Sequence, residues 1–204
     1  MSEKSFFFLR FARPYVQRRL RREFAEIRVS GLERFRREVE SGPLLIAANH
    51  VAWWDPLLLV AFDRAVGSGG HCLMDRANLE RLPFFRWAGS LPLDRTSARG
   101  ALRDLGDAAR HLESPGKYLV VFPQGEQTPA HRPLRFKRGV AWLAEKTGAA
   151  LVPLALRYDF LAGPRPFVHV SIGASRRITG SSGDRKSVVS GPRVALGGRR
   201  LLHQ

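Results

Sequence analysis

Cysteine is almost missing from this chain: Cys72 is the one thiol in 204 residues. That excludes an intramolecular disulfide framework and a cysteine-based zinc cluster, and it fits a reducing compartment. Long apolar runs are missing too. Stretches such as Pro43 to Ala48 and Pro56 to Phe62 are core-sized, far short of the roughly 20 apolar residues that span a bilayer, so no membrane-crossing helix is expected. Acidic residues are scarce, 18 against 34 Lys and Arg, which leaves a net charge of +16. Such an excess points to a polyanionic partner, and charge alone does not choose among nucleic acid, anionic lipid and acidic substrate. Zinc-ligand spacing, an RNP-like aromatic strand and a helix-turn-helix signal are all lacking, which argues against nucleic acid. A bilayer-facing surface accounts for the basicity more economically, at roughly 1 kcal/mol per Lys or Arg near anionic lipid. His71, His111, His131, His169 and His203 are scattered, so neither a metal nor a bound cofactor is expected.

With 44% hydrophobic residues, the chain can bury one substantial core. Ser5 to Leu9 is apolar but too short for a secretory signal, and Arg-rich sequence follows it rather than a cleavage site, so the segment should be retained. From Phe6 to about Phe24, aromatic and aliphatic residues alternate with Arg10, Arg13, Arg18, Arg19, Arg21 and Arg22. This is the composition of a basic amphipathic helix on an anionic surface; a helix whose apolar stripe covers the domain's own core fits equally well. Pro14 should start or kink part of it.

Beyond Gly31, strand and helix patterns alternate: apolar runs at Pro43–Ala48, His71–Met74, Tyr118–Phe122, Ala150–Leu156 and Phe167–Ile172, with helical periodicity at Leu57–Val66, Leu79–Trp87, Ala98–Leu112 and Arg138–Thr147. The pattern predicts a single α/β domain, a mainly parallel sheet covered by helices, preceded by the N-terminal amphipathic helix. The expected divisions are 1–30 for that helix, 31–179 for the domain, and 180–204 for a disordered or non-native tail, where Gly, Ser and Arg replace the periodicity.

Three segments carry chemistry-bearing residues. In Asn49-His50-Val51-Ala52-Trp53-Trp54-Asp55-Pro56, His50 suits proton transfer near neutral pH, provided a carboxylate such as Asp55 fixes its tautomer. A spacing of five turns them about 140° apart on a helix, so they cannot share a helical face. Asp55-Pro56 reads as an N-cap and first helical position, which puts His50 in the preceding turn, where its ring can fold back. The alternative is a capping Asp55 and an unrelated loop histidine. In Gly89-Ser90-Leu91-Pro92-Leu93-Asp94-Arg95, the guanidinium of Arg95 offers a fork matched to phosphate oxygens, with Asp94 able to orient it; a solvated surface arginine is the alternative. Phe122-Pro123-Gln124-Gly125-Glu126-Gln127 opens a turn after a strand, where open α/β sheets bind ligands. Lys137 and Arg138 then add cations beside a helix start; an ordinary surface turn with a basic helix is the alternative.

Taken together, His50-x4-Asp55, Gly89-x-x-Pro92-Leu93-Asp94-Arg95, Phe122-Pro123-x-Gly125 and Val152-Pro153-Leu154 resemble, in order, the four blocks of the glycerol-3-phosphate and lysophosphatidic-acid acyltransferase family. The resemblance runs from about Gly31 to Gly173 and includes Phe136-Lys137-x-Gly139. It implies that His50 is the general base and Asp55 its orienting partner in moving a fatty-acyl group from acyl-CoA or acyl carrier protein to a lysophospholipid hydroxyl. By the same resemblance Arg95 holds the acceptor's phosphate, Gly89, Phe122, Pro123, Gln124, Gly125, Glu126, Gln127 and Lys137 belong to substrate binding, and Pro153 helps wall the pocket. The location implied is peripheral, on the cytoplasmic face of an anionic membrane. Two departures stand out. Where the family has Glu followed by Gly-Thr-Arg, this chain has Gln124 followed by Gly125-Glu126-Gln127, which loses a cation and adds a carboxylate that repels phosphate. A non-phosphate polar lipid, such as a glycolipid or carotenoid glycoside, is therefore the alternative acceptor. Family members also continue through a further helix after the last strand, where this chain has its Gly- and Ser-rich tail.

Overall fold

The computed structural model describes residues 4–67, 69–160 and 163–178, with the backbone of Arg199–Arg200. Strand β2 (Leu44–Ala48) is buried along its whole length. Leu44, Ile46 and Ala48 enter one hydrophobic cluster and Leu45 and Ala47 the other, the period-two alternation of a strand covered on both faces. Around it lies one sheet in the order β4 (Ser90–Leu93), β3 (Gly69–Asp75), β5 (Lys117–Val121), β2, β6 (Ala150–Asp159), β7 (Phe167–Ile172), β1 (Glu26–Ser30), β8 (Arg199–Arg200). Neighbours from β4 to β6 are parallel, as are β7 and β1; β6 with β7 and β1 with β8 are antiparallel.

Helices α1 (Phe6–Glu23), α2 (Leu32–Ser41) and α3 (Asp55–Val66) cover one face through Val16, Leu20, Phe35, Val39, Leu58 and Phe62. Two short helices, α4 (Arg76–Arg81) and α5 (Phe84–Trp87), link β3 to β4. Helices α6 (Ala98–Ala109) and α7 (Gly139–Thr147) cover the other face through Leu105, Ala108, Val140 and Leu143. The α/β class, the mainly parallel sheet and the leading helix are thus as the sequence predicts. One helix expected over Leu79–Trp87 is instead two, broken at Leu82-Pro83, because proline lacks the N–H that would continue the ladder. Pro14 lies inside a continuous α1.

Two elements escape the sequence pattern. Strand β1 falls in the segment assigned to the leading helix, yet Ile27 and Val29 are buried and the strand pairs with β7 from Glu26 onward. Helix α2 follows, with Phe35 and Val39 one turn apart on its buried side. Of the expected tail at 180–204, only β8 belongs to the described residues.

Because β2, β3, β4 and β5 are parallel, their C-terminal ends share one edge. The segments holding His50, Arg95 and Gly125 leave the sheet there, at the edge where open α/β sheets bind ligands.

Candidate active site

After β2, Asn49 clamps the chain to β6: its Nδ2 donates to the Leu156 carbonyl at 2.9 Å and its Oδ1 accepts the Leu156 N–H at 2.6 Å. The turn that follows brings the His50 ring back onto Asp55, Nδ1 to Oδ2 at 2.7 Å. Oδ2 also accepts the Val51 and Ala52 N–H groups at 2.8 and 3.0 Å. Asp55 therefore does not cap α3 forward, as the Asp-Pro pair suggests; it begins the helix and turns its carboxylate backward into the loop. Helix α3 starts with its proline in the first turn, where the missing N–H is harmless.

Asp55 is fully buried. Its Oδ1 accepts a hydrogen bond from the Tyr158 hydroxyl, which together with the amides satisfies a carboxylate that burial would otherwise penalise. Burial, and then the adjoining Asp55 charge, push the Tyr158 phenol far above the usual range, so it remains a donor. The His50 ring stacks on Phe122, centroids 4.4 Å apart. Its backbone N–H donates to Gln124 Oε1 at 2.6 Å, and its carbonyl accepts the Thr128 N–H at 2.9 Å. Gln124 is buried, and its Nε2 has no hydrogen-bond partner among the described residues. With Nδ1–H committed to the carboxylate, the neutral ring keeps Nε2 as its proton acceptor.

A cavity of about 410 Å³ lies beside the ring. At the sheet's C-terminal edge it is lined by His50, Arg95, Phe122, Gly125, Glu126 and Gln127. Farther in, Leu9, Val60, Leu73, Phe85 and Val120 make it apolar, and it ends among Asp63, Gly70, His71 and Tyr118. Asp63 and Tyr118 there belong to an ionic cluster. Asp63 accepts from the Gly70 N–H and Tyr118 hydroxyl through Oδ1, both at 3.0 Å, and from Lys4 (2.8 Å) and Arg13 (3.1 Å) through Oδ2. The cluster ties α1 to α3 and to the sheet. Burial, followed by the charge of His111, depresses the His71 imidazole to about 4, and burial lifts the Cys72 thiol to about 12. Cys72 is thereby inert as a nucleophile.

The other predicted residues divide by location. Gly125 has φ of +77°, and a Cβ there would meet Lys137 Nζ at 2.9 Å and Arg95 Nη2 at 3.4 Å. Both cations thus border the space that this glycine leaves open. Pro123 and Gln124 are buried behind the cavity wall, where Pro123 accepts the Lys137 N–H at 2.8 Å and Gln124 holds His50. Two of the expected residues, Gly89 and Pro153, are not in the cavity lining. Gly89 lies just before β4, between Ala88 and Ser90 of the lining; its φ of +102° makes the turn, and its carbonyl accepts from the His71 ring and the Cys72 N–H. Pro153 sits in mid-β6, paired with Ala47 and packed on Gly173, so the sheet itself keeps it out of the cavity.

Sequence reasoning missed Tyr158 and Asp104. Buried Asp104 accepts the Asp94 N–H at 2.7 Å and Arg76 at 2.6 Å, fixing the loop that carries Arg95. The Asp94 carboxylate turns onto the N–H and hydroxyl of Thr96 rather than onto Arg95, and Arg95 pairs loosely with Asp75 at 3.6 Å.

This geometry can be set against known proteins. A 1-acyl-sn-glycerol-3-phosphate acyltransferase of Pseudomonas aeruginosa is 28% identical over 131 residues, which are 62% of this chain and 48% of that protein. A lyso-ornithine lipid O-acyltransferase of Rhizobium meliloti is 30% identical over 132 residues, 59% of this chain and 43% of that protein. This chain spans less than half the length of either relative. The crystal structure of the LPA acyltransferase PlsC from Thermotoga maritima shares the fold with a TM-score of 0.60 and 21% identity, covering 89% of this chain and 76% of that one. The family model named Acyltransferase matches residues 26–157, from β1 through the strand that carries Leu156. The match takes in both His50 and Asp55 and most of the sheet, and by it the chain belongs to the Acyltransferase family.

Proposed function

We propose that this protein transfers a fatty-acyl group from an acyl thioester, acyl-CoA or acyl carrier protein, to a hydroxyl of a lysophospholipid-like acceptor. The observation that carries the reading is the 2.7 Å contact between His50 Nδ1 and the buried Asp55 carboxylate beside an open cavity. The carboxylate fixes the tautomer and steadies the imidazolium that forms. Nε2 takes the acceptor's hydroxyl proton as the oxygen bonds to the thioester carbonyl carbon. The carbon–sulfur bond then breaks, and the leaving thiolate is protonated. No acyl-enzyme is required. The apolar inner cavity suits the acyl chain, while Arg95 and Lys137 suit an anionic head group.

Exposed Phe6, Phe7, Phe11 and Tyr15 on α1, beside exposed Trp87 and Arg10, support a peripheral seat on the cytoplasmic face of an anionic membrane. A second reading keeps the chemistry and replaces the phosphate acceptor by a non-phosphate polar lipid. It is favoured by the Glu126 carboxylate in the cavity wall and by relatives named for lyso-ornithine lipid. An acceptor screen with radiolabelled acyl-CoA and acyl carrier protein, products identified by mass, tests both. Acylated lysophospholipid is the expected product; label left entirely on the thioester or released as free acid would refute transfer.

A further inference from the structure

Charges of both signs share one wall of the cavity. Gly125 adopts φ +77°, and Lys137 Nζ and Arg95 Nη2 both lie within 3.4 Å of where its Cβ would be. Two cations converging on a space left by a missing side chain form a cradle for an anionic oxygen. The next residue, Glu126, lines the same cavity, is exposed, and makes no ion pair with either cation among the described residues. Arg95 is loosely paired with Asp75 at 3.6 Å, so among the described residues Lys137 and Glu126 are the opposite charges here that make no ion pair.

Each simple head group leaves part of that wall unanswered. A phosphate monoester gains the cradle but faces the Glu126 carboxylate, and like charge disfavours its dianion. An uncharged sugar leaves Lys137 without a counter-charge and Arg95 with only its loose pair to Asp75 at 3.6 Å. A head group with an anionic oxygen and an ammonium meets both signs, and specificity then includes a repulsive element against the phosphate competitor. We infer that the acceptor is a zwitterionic lysolipid, its anionic oxygens over Gly125 between Arg95 and Lys137, its ammonium on Glu126. The inference rests on the acyl-transfer reading and sharpens its acceptor.

The test uses four lysolipids with one tail and different heads: phosphate monoester, phosphoethanolamine, an amino acid retaining ammonium and carboxylate, and a sugar. The full-length protein should favour the zwitterions over the monoester by about tenfold in kcat/KM, and the two zwitterionic arms tell phosphate from carboxylate as the anion. Glu126→Gln should reverse that preference, chiefly through KM, and Lys137→Gln should weaken every charged acceptor while sparing the sugar. Calorimetric binding of the same lipids, below their micelle concentrations, to the His50→Ala protein should give the same ranking. A monoester preference that Glu126→Gln leaves unchanged would overturn the inference. Transfer to none of the four would tell against acyl transfer itself, with the calorimetric ranking still deciding the head group.

Discussion

Asp55 receives four hydrogen bonds: from the His50 ring, the Val51 and Ala52 amides, and the Tyr158 hydroxyl. Three come from the turn that a single sequence window spans; the fourth arrives from 103 positions away. The first three explain why the His-x4-Asp spacing was legible: a turn ahead of a proline-led helix leaves the carboxylate few other partners. Tyr158 carried no local signal, because only the pairing of β2 with β6 brings it near. Its contribution can be isolated. Tyr158→Phe removes one bond to a buried charge and should lower stability by about 1.5–3 kcal/mol, read from urea denaturation, since such bonds contribute that much. The transfer rate should fall as well, with KM for the acceptor little changed. An unaltered unfolding midpoint would show that the hydroxyl does not support the carboxylate.

Helix α1 has apolar residues on opposite sides, a consequence of the roughly 100° turn per residue. Leu9, Val16 and Leu20 are buried against the domain, while Phe7, Phe11 and Tyr15 face outward. The two uses of this helix that its composition allowed are therefore not exclusive. Its outward stripe meets Phe84 and Trp87 around an apolar groove. Replacing Phe7, Phe11 and Trp87 with Ser should abolish pelleting with anionic liposomes and leave the melting temperature intact, whereas full co-sedimentation of the variant would remove the anchoring role. Deleting the helix is a poorer test, because Lys4 and Arg13 neutralise buried Asp63 and removing one partner of a buried pair strands the other. Strand β1, just after the helix, was hard to read for a related reason. Five residues alternating Ile27, Arg28 and Val29 are a short signal beside eighteen helical ones, and their partner strand lies 141 positions on.

At the scale of the molecule, the central strands announced themselves as continuous apolar runs because helices cover both faces. Which strands would be neighbours, and what would line the cavity, depended on long-range pairing. His71, at the cavity's inner end, shows the consequence. Its folded-state value near 4 lies below the ordinary 6.5, through burial first and then the charges of His111, Lys4 and Lys117. Above pH 6.5 the ring is neutral in both states; between 6.5 and about 4 only the unfolded chain takes the proton, so stability falls as pH falls through that window. His71→Gln should flatten that part of the urea-midpoint profile, and parallel profiles would show that the ring is not so buried. The mechanism itself rests on the ring at the other end of the cavity. Its most direct test is the single-turnover rate of acyl transfer by wild type and His50→Ala, with circular dichroism confirming the fold. The account predicts a loss on the order of 10²–10⁴-fold, the range for a general base; a folded variant that transfers at the wild-type rate would contradict it.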